Sequence, residues 1–162
     1  MNQAAEFAST VLPPQAGAVH PLVEQLVTRH GGSWVDLASI DAWQAGPGDR
    51  VLFFGGDPVR FPECLDVAVV LPELRRHAGR ALAIGVARPE AEDALARRFG
   101  SQRWPALVFL RDGEYVTTIS GMLDWDVYLA QLERALAMPA SRVPGIGIPL
   151  VAAGAASTSS CH

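Results

Sequence analysis

Lysine is absent from all 162 residues, and the thirteen basic side chains are arginines that never stand in a run longer than two. Against 17 acidic residues they leave a net charge of −4. A broad nucleic-acid footprint needs clustered positive charge, and so does attachment to an anionic bilayer, so neither partner is expected. No apolar run reaches the roughly 18 residues that would span a membrane. The longest candidate, Leu65 to Leu74, is interrupted by Asp66 and Pro72. Met1 to Thr10 carries Glu6 and no basic residue, unlike a secretory signal, so a cytoplasmic protein without membrane insertion is expected. Cysteine is scarce as well. Cys64 and Cys161 form no C-x-x-C pair, and at their separation they suggest neither a zinc site nor a disulfide framework. His20, His30 and His77 have no partner at ligand spacing, and Gly55-Gly56 does not extend to a G-x-G-x-x-G phosphate loop. No metal and no cofactor is therefore expected.

What the chain does have is apolar residues. At 49% hydrophobic and 19% charged it can bury a core, and its length fits one domain. Residues 1–18, rich in Ala, Pro and Gln, read as a flexible lead. Pro21 suits a first helical turn, and Val19, Leu22, Val23, Leu26 and Val27 recur at helical spacing until Gly31-Gly32. Trp34 to Leu37 is a short strand candidate, followed by an irregular stretch to the Gly46-Pro47-Gly48-Asp49 turn. The continuous run Val51-Leu52-Phe53-Phe54 has the pattern of a strand buried on both faces. Leu65 to His77 reads as a helix kinked at Pro72, and Ala81 to Ala87 as a second buried strand. Pro89 opens a helix with Glu90, Glu92 and Asp93 first and Arg97-Arg98 last, an order that suits the helix dipole. Ala106 to Leu110 and Tyr115 to Ser120 flank an Asp112-Gly113 hairpin turn, and Asp124 caps a last helix. These elements give a domain over residues 19–138, with residues 139–162 as a disordered tail.

The order resembles the thioredoxin layout, and two segments sharpen the resemblance. Phe99 through Phe109, followed by Asp112-Gly113-Glu114, is similar to the thioredoxin segment that enters its strand through a cis-proline, here Pro105. Pro72 resembles the proline that kinks the helix after the thioredoxin active site. The fold implied is an α/β three-layer sandwich, a mixed central sheet with helices on both faces and a flexible C-terminal tail. The resemblance also locates the redox motif, which here reads Cys64-Leu65-Asp66-Val67. One thiol remains and the resolving thiol is missing. Phe54 stands where thioredoxins keep a buried carboxylate, and Gly56 where they keep a tryptophan. A dithiol cycle needs the second thiol to release the mixed disulfide, so a non-enzymatic role is expected.

Asp57-Pro58-Val59-Arg60-Phe61-Pro62-Glu63, Arg98-Phe99-Gly100, Arg103-Trp104-Pro105-Ala106 and Gly121-Met122-Leu123-Asp124-Trp125 resemble a narrower group. These are the hydrogenase expression/formation proteins of the HyaE, HupG and HoxO type. That resemblance implies a chaperone in maturation of the NiFe hydrogenase small subunit. It would hold the precursor or its twin-arginine signal peptide before export, alongside other maturation proteins.

Trp104 and Pro105 are the leading partner-binding residues, because the backbone before such a proline offers unpaired groups to an extended peptide. Asp57, Glu63 and Asp66 could present carboxylates to arginines, which carboxylates grip in a bidentate fork. The more distant acids Asp112, Glu114, Asp124 and Asp126 fit a solvated surface. Cys64 is a residual redox position at a helix start, where the dipole favours thiolate, although Glu63 and Asp66 oppose it. Cys161 could reach it, since a flexible tail of this length spans about 27 Å. Two alternatives thus stand beside the chaperone: a monothiol oxidoreductase using Cys64, alone or with Cys161, and a generic interaction scaffold.

Overall fold

The structure, a computed structural model, describes residues 18–145. In chain order the elements are α1 (Pro21–Thr28), β1 (Ser33–Val35), α2 (Ile40–Gln44), β2 (Asp49–Phe54) and α3 (Glu63–His77). They continue with β3 (Leu82–Ala87), α4 (Glu92–Arg98), β4 (Ala106–Arg111), β5 (Glu114–Ser120) and α5 (Trp125–Ala137). The five strands form one sheet in the order β1-β3-β2-β4-β5. β1 and β2 run parallel to β3, whereas β2–β4 and β4–β5 are antiparallel. This is the mixed sheet of the thioredoxin layout.

Alternation along β2 builds both layers of core. Val51 and Phe53 face a cluster with Leu26 of α1, Leu71 and Leu74 of α3, and Tyr128 and Leu132 of α5. Leu52 and Phe54 face the opposite cluster, with Ile40 of α2, Leu95 and Ala96 of α4, and Phe99 just past the end of α4. All four β2 residues are fully buried. Burying one such side chain is worth about 1.5–3 kcal/mol, so the continuous apolar run is what a strand covered on both faces requires.

The foot of β2 is tied by charge. Asp49 pairs with Arg111 of β4 at 2.7 Å and with Arg80 at 3.0 Å. The Arg111 guanidinium also donates to the Ala135, Leu136 and Met138 carbonyls, filling acceptors that the last turn of α5 leaves open. The hairpin follows the Asp112-Gly113 signal, with both residues at positive φ (49° and 84°) as a two-residue turn of this hand demands.

Several boundaries move. The stretch expected to be irregular before Gly46 contains α2. Its start is organised by Asp36, whose carboxylate accepts from the Ala38 and Ser39 amides while Ser39 Oγ accepts from the Asp36 amide. Five residues are too few to show a helical period. α3 begins at Glu63, two residues early, and continues through the buried Pro72. α4 begins only at Glu92, because Pro89 to Ala91 form a turn. Asp124 occupies the N-cap of α5 as expected, but its side chain makes no capping bond; its carbonyl accepts from Tyr128 N.

Residues 139–145, expected to belong to the loose tail, lie against the domain. Ser141 N donates to the Tyr115 carbonyl at 2.6 Å and Ser141 Oγ to the Val116 carbonyl at 2.9 Å. Val143 packs on the α4-side core, and the Pro144 carbonyl sits tight against Gly100. These contacts cover part of the outer edge of β5, backbone that would otherwise stand open to another strand. The remainder of the expected tail, and residues 1–17, fall outside the described residues. A chain ending at Met138 should therefore melt lower than one ending at Gly145. Two hydrogen bonds and one apolar contact are worth about 1–3 kcal/mol, or several degrees for a protein of this size. Calorimetry of the two truncations checks this, and equal midpoints would show that the segment adds no stability.

Candidate functional site

The end of β2, the start of α3, the start of α4 and the approach to β4 converge at one end of the sheet. From β2 the chain passes through Gly55 and Gly56 into the loop Asp57–Pro62. There Asp57 accepts from the Val59 amide with its carboxylate and from the Arg60 and Phe61 amides with its carbonyl. The Phe61 carbonyl accepts from Cys64 N at 3.0 Å and so ties this loop to α3. The Phe61 ring stacks on Trp104 with centroids 5.9 Å apart, and the Arg60 guanidinium lies over the Phe61 ring at 5.4 Å. Val59, at the loop tip, is 81% exposed.

The Trp104–Pro105 peptide is cis, as the resemblance implied. Pro105 is buried and its carbonyl accepts from Gly121 N at 2.7 Å. Trp104 is half-buried, and among the described residues neither its backbone N–H nor its carbonyl is paired within the backbone network.

Cys64 is fully buried. Burial, followed by the charges of Glu92, Glu63, Asp57 and Asp66, pushes its thiol from 9.0 up to about 11. The thiol form therefore dominates at neutral pH, and the helix-start benefit is outweighed. Val67, at the resolving position, is buried apolar core, and Phe54 fills the former carboxylate position with a buried ring. Cys161 lies outside the described residues. Asp57, Glu63 and Asp66, all exposed, thus lie near enough for their charges to act on this thiol. Asp112 does something else: its carboxylate accepts from Gly48 N at 2.8 Å and joins two turns at the hairpin.

Glu92 is the residue that sequence reasoning treated only as a first-turn acid. It is 7% exposed, and its carboxylate accepts from Gly56 N at 2.8 Å. Burial raises its pKa from 4.5 to about 7, although the Gly56 amide, the Trp104 side chain and the Gly55 amide all favour the charged form. Gly56 fits this corner because it is glycine. Its φ is +73°, and a Cβ would come within 2.7 Å of the Phe61 ring and 3.0 Å of the Trp104 ring. The signal was present in the sequence: Glu92, Leu95, Ala96 and Phe99 share the i, i+3, i+4, i+7 spacing, which puts Glu92 on the apolar face of α4.

Among the described residues no group of three or more metal-ligating side chains comes together, and no helix is long and apolar enough to cross a membrane. The fold, the cis-proline segment and the helix-start thiol define a thioredoxin-like protein whose dithiol has been reduced to one sequestered cysteine. A thioredoxin variant from Halobacterium salinarum superposes on 65% of this chain and 91% of its own, with a TM-score of 0.53 and 21% identity, a likeness of fold. The family model described as Hydrogenase-1 expression protein HyaE matches residues 22–128. The hydrogenase expression/formation protein HoxO of Cupriavidus necator is 60% identical over 151 residues, covering 92% of each chain. HoxO of Azotobacter vinelandii is 40% identical over 130 residues, 80% of this chain and 87% of that one. HupG of Bradyrhizobium diazoefficiens is 36% identical over 129 residues, 77% and 87% of the two chains. The chain belongs to the HyaE family of hydrogenase expression/formation proteins.

Two outcomes are expected at this site. With Cys161→Ser leaving Cys64 as the one thiol, a maleimide should label the native protein at pH 7 far more slowly than the protein in urea, and disulfide reduction should stay at background. Rapid native labelling would show an open thiol. The second outcome concerns pH. Because the folded-state pKa of Glu92 lies above its unfolded value, its contribution to stability is complete below about 4.5 and is lost as pH rises through about 7. The loss is about 3 kcal/mol at most. Urea unfolding across pH 4–8 should show the difference between wild type and Glu92→Gln changing over this interval; a constant difference would contradict a displaced carboxyl.

Proposed function

We propose that this protein is a non-catalytic chaperone for the NiFe hydrogenase small subunit, holding its precursor through an extended segment, the twin-arginine signal region, before export. Family membership supplies the hydrogenase context. The observation that carries the rest is that Asp57, Glu63 and Asp66 are exposed and all bear electrostatically on a buried thiol, while among the described residues the Trp104 backbone N–H and carbonyl have no backbone partner. A redox end needs an accessible thiolate; this end instead offers exposed carboxylates and a strand-addition site. An arginine pair matches such carboxylates through bidentate contacts, and strand addition holds the peptide without regard to most of its side chains. The oxidoreductase alternative would require a nucleophile from a group held near 11.

Calorimetric titration with a peptide spanning the small-subunit signal tests the proposal. Binding should weaken about tenfold when Asp57, Glu63 and Asp66 become Asn, Gln and Asn together, since exposed pairs contribute about 0.2–1 kcal/mol each. Replacing both arginines of the peptide by lysine should weaken it too, and salt should do the same. Affinity indifferent to the acids, to the arginines and to salt would overturn the proposal.

A further inference from the structure

We propose that Glu92 is a positioning residue: ionised, it clamps the Gly55–Gly56 corner and the Trp104 indole into the shape that receives the client, and protonation releases that clamp. The inference rests on the function proposed above and adds a proton to it. Its basis is geometric. Glu92 reaches from α4 to the end of β2 and accepts from Gly56 N at 2.8 Å, while the Gly55 amide and the Trp104 side chain bear on the same carboxylate. Gly56 is in turn wedged against Phe61 and Trp104, which stack on one another. A carboxylate is acceptor-only, so several N–H groups can converge on it. A carboxylic acid carries an O–H donor and accepts more weakly, so protonation loosens the hold on these N–H groups. The movable groups are the Trp104 ring, which is half-buried, and the loop that carries it against Phe61.

The surroundings leave the carboxylate without a balancing cation. On its own helix Asp93 raises its pKa. On α3 its charge bears on the thiol of Cys64, which also feels Glu63, Asp66 and, from the loop, Asp57. Arg60 lies over Phe61, and Arg88, four residues before Glu92, sits over Trp34 and within 4.0 Å of Asp36. Among the described residues no arginine or histidine pairs with Glu92. An arginine-bearing peptide arriving here would supply the missing positive charge. It would thereby favour the ionised carboxylate, so that binding and proton release are linked. Since burial holds the free group near 7, affinity should rise by up to about tenfold from pH 6 to pH 8.

Two measurements on the full chain test this. In 15N–1H spectra of the free wild type across pH 5–9, the Gly56 amide and the Trp104 indole N–H should titrate with one shared midpoint, and both transitions should be missing in Glu92→Gln. Unmoved signals, or two unrelated midpoints, would overturn the clamp without touching the proposed function. In the second measurement, a peptide with two adjacent arginines is titrated at pH 6 and pH 8. Wild type should show the affinity change and Glu92→Gln should show one at least several-fold smaller. A pH dependence identical in the two proteins would remove Glu92 from client recognition. If the wild type binds no such peptide at either pH, the function proposed above fails together with the client side of this inference, and the spectra decide the clamp alone. Should Glu92→Gln not fold, the shared midpoint in the wild type remains the deciding observation.

Discussion

Everything in this molecule hangs from β2, a strand that must be buried on both faces at once. Val51 and Phe53 commit one side to the layer of α1, α3 and α5; Leu52 and Phe54 commit the other to the layer of α2 and α4. A one-residue slip in the register with β4 would exchange the two sets and empty both cores, so the register is strongly specified. The strand is also tied at each end by a carboxylate contact. Asp49 holds two arginines at its foot, and the Gly56 amide just past its top donates to Glu92. The loop that forms the candidate site therefore leaves a strand that cannot shift.

That rigidity holds a thioredoxin layout together around an incomplete dithiol motif. The thioredoxin arrangement aims a helix start, a cis-proline segment and a strand end at one point, and this geometry survives without the chemistry that accompanies it elsewhere. Closing the thiol under the loop and surrounding it with acids raises the thiol pKa and removes the nucleophile. The same acids give the surface a negative character that suits a cationic segment. Burial and neighbouring charge thus act on the Cys64 thiol in the same direction.

The burial of Glu92 runs against the ordinary preference for exposing carboxylates. It is tolerated because donors from Gly56, Gly55 and Trp104 offset part of the desolvation, and because the group can take up a proton when they do not suffice. A buried acid with a pKa near neutrality is a sensitive joint between two elements. Here it connects α4 to the aromatic pair beside the cis-proline.

Much of the architecture was legible in the residues. The two-face strand was announced by four consecutive apolar residues, the hairpin by Asp112-Gly113, and α5 by an apolar stripe at helical spacing. Missing thiol and relay residues were visible as Val67 and Phe54. The sequence by itself determined which layers exist, the kind of connection between strands, and that no C-x-x-C pair is present, because each depends on local periodicity, turn stereochemistry or the presence of an atom. Only the tertiary structure decided that Cys64 is sealed, that the charge of Glu92 bears on it, that Ser141 and Val143 dock on the domain, and that Glu92 reaches Gly56. Those facts depend on distances between residues far apart in the chain, and on how much water the packing leaves around a charge, and neither quantity has a counterpart in local spacing.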